Sequence, residues 1–210
     1  MKWAKRHMGG IRHFHDHFTI PSSELTPETA AYRAAYPQVK EMLQRYMLSY
    51  HISPEMYAEQ QDANLMGHAI EEAVYAPLYY GYGEKDGQAP FRSPEGQCTQ
   101  MGRGMEERIL ERAPDTVLVL LKADPEVIRQ RMRNNPDPTE GEPTRGVVQD
   151  EGAEYVLARF EEEFEQSLIR NKIILDTTAA TAEETLTEFL EKHEPYLTQS
   201  DLRRMKRPVS

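Results

Sequence analysis

The sequence predicts an α/β protein with a parallel sheet covered by helices on both faces, and three observations predict it. Apolar runs of strand length alternate with segments of helical periodicity. The run Thr116–Lys122, TVLVLLK, is apolar without alternation, as in a strand buried on both faces of a parallel sheet. A second such run, Lys172-Ile-Ile-Leu-Asp176, is followed by a capped helix.

In chain order, MKWAKRHM reads as the end of an amphipathic helix closed by Gly9-Gly10. Ile11 to Phe18 alternates and is β-like. Thr26-Pro27 opens a helix over 27–35, and a second runs over 37–50 with Val39, Leu43, Tyr46 and Tyr50 as its inward stripe. Asn64 to Gly67 is a short strand, and a helix follows from His68 to Tyr80. Gly81 to Gly96 holds four glycines and two prolines and reads as a loop. Thr99 to Arg112 is helical and stops before Pro114. Asp124-Pro125-Glu126 supplies an N-cap, a first-turn proline and an acid for a helix carrying Val127, Ile128 and Met132. Polar residues 134–146 interrupt it. Glu151 to Asn171 reads as one helix with Leu157, Phe160, Phe164 and Leu168 on a stripe. Thr181 and Glu184 form a capping box for the last helix, with Leu186, Phe189 and Leu190 inward.

The bulk numbers bound the function. At 210 residues the chain suits one domain, read as 1–198 with a lid over 129–150 and a basic tail, solvated or frayed, over 199–210. It is 39% hydrophobic and 29% charged, as globular proteins are. Its longest apolar run is far short of the roughly 20 residues that cross a bilayer. Residues 1–10 lack the apolar core of a secretory signal. A single cysteine, Cys98, forms no internal disulfide and fits a reducing, cytoplasmic setting. A net charge of −10 argues against nucleic acid as a general partner.

Three segments together resemble the P-loop nucleoside and nucleotide kinases, in the thymidylate-kinase and deoxynucleoside-kinase branch. They are TVLVLLKADPEVIRQRM at 116–132, LDTTAATAEETLTEFL at 175–190, and HAIEEAVYAPLYYG at 68–81. The resemblance implies a three-layer fold of strand order 2-3-1-4-5, with ATP and Mg²⁺ as cofactors. It also implies a small-molecule acceptor such as a nucleoside or nucleotide. One departure is large. None of the eight lysines stands in the G-x-x-x-x-G-K-[ST] loop that cradles phosphates, and the central first strand is missing with it. The expectation is a reading frame that starts upstream of Met1, leaving a chain inactive as written.

The resemblance assigns roles by position. Asp16 is the base or metal-orienting acid, a carboxylate able to take a proton as the transition state forms. Arg131 and Arg133 stabilise the transferred phosphoryl group through planar guanidinium forks, and Arg129 and Arg145 hold ATP. His17, Glu71, Tyr75, Tyr79 and Arg103 line the acceptor side, with 71, 75 and 79 spaced to share a helix face. Two rival readings stand beside this one. A non-catalytic binding or regulatory protein on a degenerate kinase fold would be folded as given, in the manner of a strand-sharing homodimer. A metal-dependent hydrolase would use His13, His15 and His17, whose alternation puts them on one strand face. The acceptor is not specified by the sequence.

Overall fold

A computed structural model describes residues 12–15, 37–53, 62–80, 97–134 and 150–205. The chain is α/β, and its strands pair in parallel. β1 (Arg12–His15) runs beside β2 (Ala63–Met66), and β3 (Val117–Lys122) beside β4 (Asn171–Asp176), as two separate two-stranded ladders. Backbone contacts group residues 1–115 with 197–210 in one compact unit and 116–196 in another, and each is taken by itself. The expected elements over 1–10, 16–36 and 81–96 lie outside the described residues, as do Asp16, His17 and Arg145.

In the first unit, α1 (Pro37–His51) follows β1, and α2 (His68–Tyr75) follows β2 after the one-residue turn at Gly67. α2 continues into a π-helical turn, Ala76–Tyr80. α3 (Gln97–Arg112) packs along α2. The core is Leu48, Ile52, Ala69, Met105 and Ile109, with Leu65 of β2 packed on it. Small residues set the helix spacing. A Cβ built on Gly102 would lie 3.4 Å from the Ala69 carbonyl oxygen, so α3 approaches α2 where neither side chain intervenes.

The stripe expected on α1 is displaced. Tyr46 is 69% exposed and Tyr50 is 51% exposed, while Leu48, His51 and Ile52 are buried. The inward face is therefore set by the end of the helix and the turn after it, and the phenols keep their hydroxyls in water.

His68 enters α2 with φ of 49°, directly after Gly67 at φ 71°. Its Nε2 lies 3.4 Å from the Leu48 carbonyl oxygen. A carbonyl only accepts, so Nε2 carries the proton and donates, leaving Nδ1 as the site a second proton would take. Burial pushes the His68 pKa down to about 4, the Leu48 bond opposes the shift, and nearby His51 adds to it.

In the second unit, α4 (Pro125–Asn134) follows β3. A 3₁₀ turn, Asp150–Gly152, leads into α5 (Ala153–Gln166), and α6 (Ala182–His193) follows β4. α5 packs on β3 and α4, and α6 on β4. The helix expected to reach Asn171 stops at Gln166. Leu168 lies beyond it and is exposed, and Asn171 already begins β4. The Ser167 hydroxyl accepts from the Ile169 amide, a local bond that competes with helix continuation. Nor is β3 buried on both faces. Its residues are half-buried and Leu121 is 62% exposed, and among the described residues β4 is the strand that pairs with it. Leu186 of α6 is also exposed, whereas Phe189 and Leu190 are half-buried. The capping box forms as expected: Thr181 Oγ1 accepts from the Glu184 amide, and Glu184 Oε2 from the Thr181 amide.

The expected tail is partly structured. Gln199–Met205 form α7, capped by Thr198, whose Oγ1 accepts from the Asp201 amide while Asp201 Oδ2 accepts from the Thr198 amide. No helix among the described residues is long and apolar enough to cross a membrane.

The lowered His68 pKa fixes a direction for stability. The unfolded ring takes a proton near pH 6.5 and the folded one near pH 4, so stability present above pH 6.5 is lost as pH falls between those values. By pH 5 the loss from this residue is about 2 kcal/mol. His68→Gln should make the pH 7 to 5 segment of urea-unfolding midpoints shallower, with buried His51, itself held below its ordinary pKa, supplying what slope remains. That window lies above 4.5 and 3.8, the ordinary pKa values of Glu184 and Asp176, whose own lowered values act below it. An unchanged slope would place the titration elsewhere.

Candidate functional site

The two strands of the second unit end level, with Lys122 opposite Asp176, and each is followed by a short turn into a helix. The carboxyl edge of a parallel sheet is where such turns leave room for a ligand. A cleft of about 690 Å³ opens there. Lys122, Ala123, Asp124 and Pro125 line it from β3, Leu157 from α5, and Asp176, Thr178, Ala179, Ala180 and Glu184 from β4 and α6.

Hydrogen bonds hold its walls. The Thr177 amide donates to the Lys122 carbonyl oxygen at 2.7 Å, extending the ladder by one residue. Thr178 Oγ1 accepts from the Asp124 amide at 2.8 Å, which ties the turn after β4 to the turn after β3. Asp176 Oδ1 accepts from the Thr178 amide and hydroxyl, at 2.9 and 2.6 Å, so its carboxyl is held below the usual range by Thr178. Asp124 Oδ1 caps α4 through the Glu126 amide. Glu184 is likewise held low by the Thr181 amide and hydroxyl. Lys122 Nζ lies 2.7 Å from Glu161 Oε1, and that carboxylate raises the lysine's pKa, with a smaller contribution from Asp176.

The cleft thus offers two kinds of surface. Pro125, Leu157, Ala179 and Ala180 are apolar and low, suited to a flat ring. Lys122, Thr178 and the carboxylates supply polar contacts at its rim. Each of these polar groups already carries an intramolecular bond. The bonds from Thr178 and Thr181 hold Asp176 and Glu184 as carboxylates.

Among the described arginines expected to act on phosphate, Arg131 bonds to the turn after β4. Its Nη1 donates to Thr177 Oγ1 at 2.8 Å and its Nη2 to the Thr177 carbonyl oxygen. Arg129 pairs with Glu126 at 3.1 Å in its own helix. Arg133 is exposed in the last turn of α4. Glu71, Tyr75 and Arg103 belong to the first unit. Glu71 and Tyr75 are half-buried on α2, where neighbouring Glu72 is 1% exposed. Arg103 pairs with buried Glu106 at 2.9 Å. The backbone of Tyr79 lies in the π-helical turn, so the α-helical spacing that linked 71, 75 and 79 ends at Ala76. Among the described residues no three His, Cys, Asp or Glu side chains gather as metal ligands.

Lys122, Asp176 and Thr178 were not singled out from sequence, and Asp124 was read only as the cap of α4. The available signal was a charged residue ending each apolar run, followed by a turn and a helix cap. Comparison with protein-family profiles, curated proteins and solved structures finds no match to this chain.

Thr178 joins both turns, so Thr178→Val should cost about 1–2 kcal/mol through the lost bonds to Asp124 and Asp176. Urea unfolding measures it, and a stability within about 0.3 kcal/mol of the parent would show that the turns hold without this hydroxyl.

Proposed function

We propose that the chain binds a nucleotide in the cleft at the carboxyl ends of β3 and β4, as part of an ATP-dependent phosphotransferase of the nucleoside and nucleotide kinase type. The observation that carries the reading is the cleft itself: two parallel strands ending level, with two helix N-termini and a low apolar wall at their mouth. The parallel pairing and the resemblance of residues 68–81, 116–132 and 175–190 support the same family. In that three-layer fold the two ladders would flank a central strand.

The residues present fit one part of ATP and not the rest. Pro125, Leu157, Ala179 and Ala180 suit the flat base, and the Lys122 ammonium and Thr178 hydroxyl suit polar edges of base or ribose. A Walker-type phosphate loop is absent from the 210 residues, so no transfer step is derived from them. In this reading Asp16, Arg133 and Arg145 serve phosphate and magnesium. His17, Glu71, Tyr75, Tyr79 and Arg103 serve the acceptor. Arg131 braces the base-binding turn through Thr177.

A second reading, a non-catalytic nucleotide-binding or regulatory protein, is favoured by one observation. Lys122, Asp124, Asp176 and Glu184 all spend their charge on intramolecular bonds.

Isothermal titration separates these ideas. Adenosine and ATP·Mg²⁺ should bind with similar, weak affinity, and Ala179→Arg should abolish both by filling the apolar wall. No binding of either ligand would overturn the cleft assignment. ATP binding more than tenfold tighter than adenosine would show a phosphate cradle within these residues, a difference of about 1.4 kcal/mol.

A further inference from the structure

Lys122 and Asp176 close their strands opposite each other, and residues paired in register project from the same face of a sheet. Each feels the charge of the other, and both line the cleft. The two oxygens of Asp176 are used differently. Oδ1 accepts from the amide and from the hydroxyl of Thr178, at 2.9 and 2.6 Å. Among the described residues nothing donates to Oδ2, and Asp176 is exposed. Thr178 therefore fixes the carboxylate through one oxygen and leaves the other as an acceptor on the cleft wall.

Lys122 supplies the complementary chemistry. An ammonium carries three donors, and Glu161 Oε1, 2.7 Å from Nζ, takes one of them. Donors remain for a second acceptor. The wall thus sets an acceptor and a donor side by side, next to the apolar surface of Pro125, Leu157, Ala179 and Ala180. Its charge balance favours the N–H groups of a ligand over an anion. Three lining carboxylates, Asp124, Asp176 and Glu184, stand against the one ammonium of Lys122.

We infer that Asp176 and Lys122 are the specificity-determining pair of this cleft, and that they read a nucleobase edge presenting an amino group beside a ring nitrogen. Asp176 Oδ2 accepts from the amine, and Lys122 Nζ donates to the ring nitrogen. Adenine has that edge, its 6-amino group being flanked by acceptor nitrogens. This assignment rests on the nucleotide reading of the cleft and adds which edge of the base is recognised.

The Thr178 bonds give Asp176→Asn a directed effect. Thr178 donates twice to Oδ1, so the amide oxygen takes that place and the NH₂ group takes the place of Oδ2. A donor then stands where an acceptor stood, in a side chain of the same shape.

Chemical-shift titration of the ¹⁵N-labelled full chain with adenosine and with purine riboside, the same nucleoside lacking the 6-amino group, tests the pair. The parent should bind adenosine about tenfold more tightly, the loss expected when a charge-assisted hydrogen bond is removed. Asp176→Asn should bring adenosine down to the level of purine riboside. Lys122→Met should weaken both nucleosides by a similar factor, because both keep the ring nitrogens. A dispersed, parent-like spectrum reports that each variant is folded, and the comparison in the parent needs no substitution. Equal affinity of the parent for the two nucleosides overturns the inference and leaves the nucleotide reading standing. An Asp176→Asn chain that keeps the preference for adenosine also overturns it, as does a Lys122→Met chain that binds both as the parent does. Binding of neither nucleoside to the parent overturns the nucleotide reading, and this inference with it.

Discussion

The bond that the Asp124 amide donates to the Thr178 hydroxyl is the constraint on which the second unit turns. Two strands alone make a marginal sheet. Here the ladder is continued past its formal end by Thr177 on the Lys122 carbonyl, then by Thr178 Oγ1 accepting from Asp124, then by Arg131 closing on Thr177. Both strands therefore finish at the same level, and both following helices start from fixed points. The cleft is the space those fixed points leave.

The same backbone groups hold the cleft's carboxylates in place. Asp176, Asp124 and Glu184 each accept backbone amides at the start of a turn or helix, where the local dipole favours negative charge. The lowered pKa values of Asp176 and Glu184 follow from those bonds, and the raised value of Lys122 follows from Glu161. The electrostatics of the site are thus a by-product of how its backbone is held, and a ligand meets walls that are already set.

Sequence patterns revealed the elements better than their surroundings. Periodicity and caps placed α3, α4 and α6 to within a few residues, because those signals act within one turn of helix. Burial was less legible. The Tyr46–Tyr50 stripe fits period 3.6, yet the buried residues are Leu48, His51 and Ile52, since the inward face depends on what packs against α1. VLVLL reads as doubly buried, but the burial of a strand is decided by what packs on its faces, and Leu121 is 62% exposed. The end of α5 at Gln166 depended on the Ser167 side chain and on the pull of β4 beyond it. Arg131 was read as a phosphate arginine from its place on α4, and its guanidinium bonds to Thr177 of the turn after β4. Lys122, Asp176 and Thr178 were not legible, because their importance lies in a pairing between residues more than fifty positions apart.

Gly102 and Gly104 show how differently one letter can be constrained. They stand two positions apart in α3 and are indistinguishable to any pattern read from composition. A methyl group on Gly102 would touch the Ala69 carbonyl of α2, whereas one on Gly104 would meet nothing within 4 Å. Over evolutionary time the two should drift apart. Position 104 is free to become alanine and gain helix propensity, while position 102 is closed to anything that pushes the helices apart. The spacing of two helices is in this way recorded at one residue, and a neutral neighbour beside it serves as the clock against which its retention can be read.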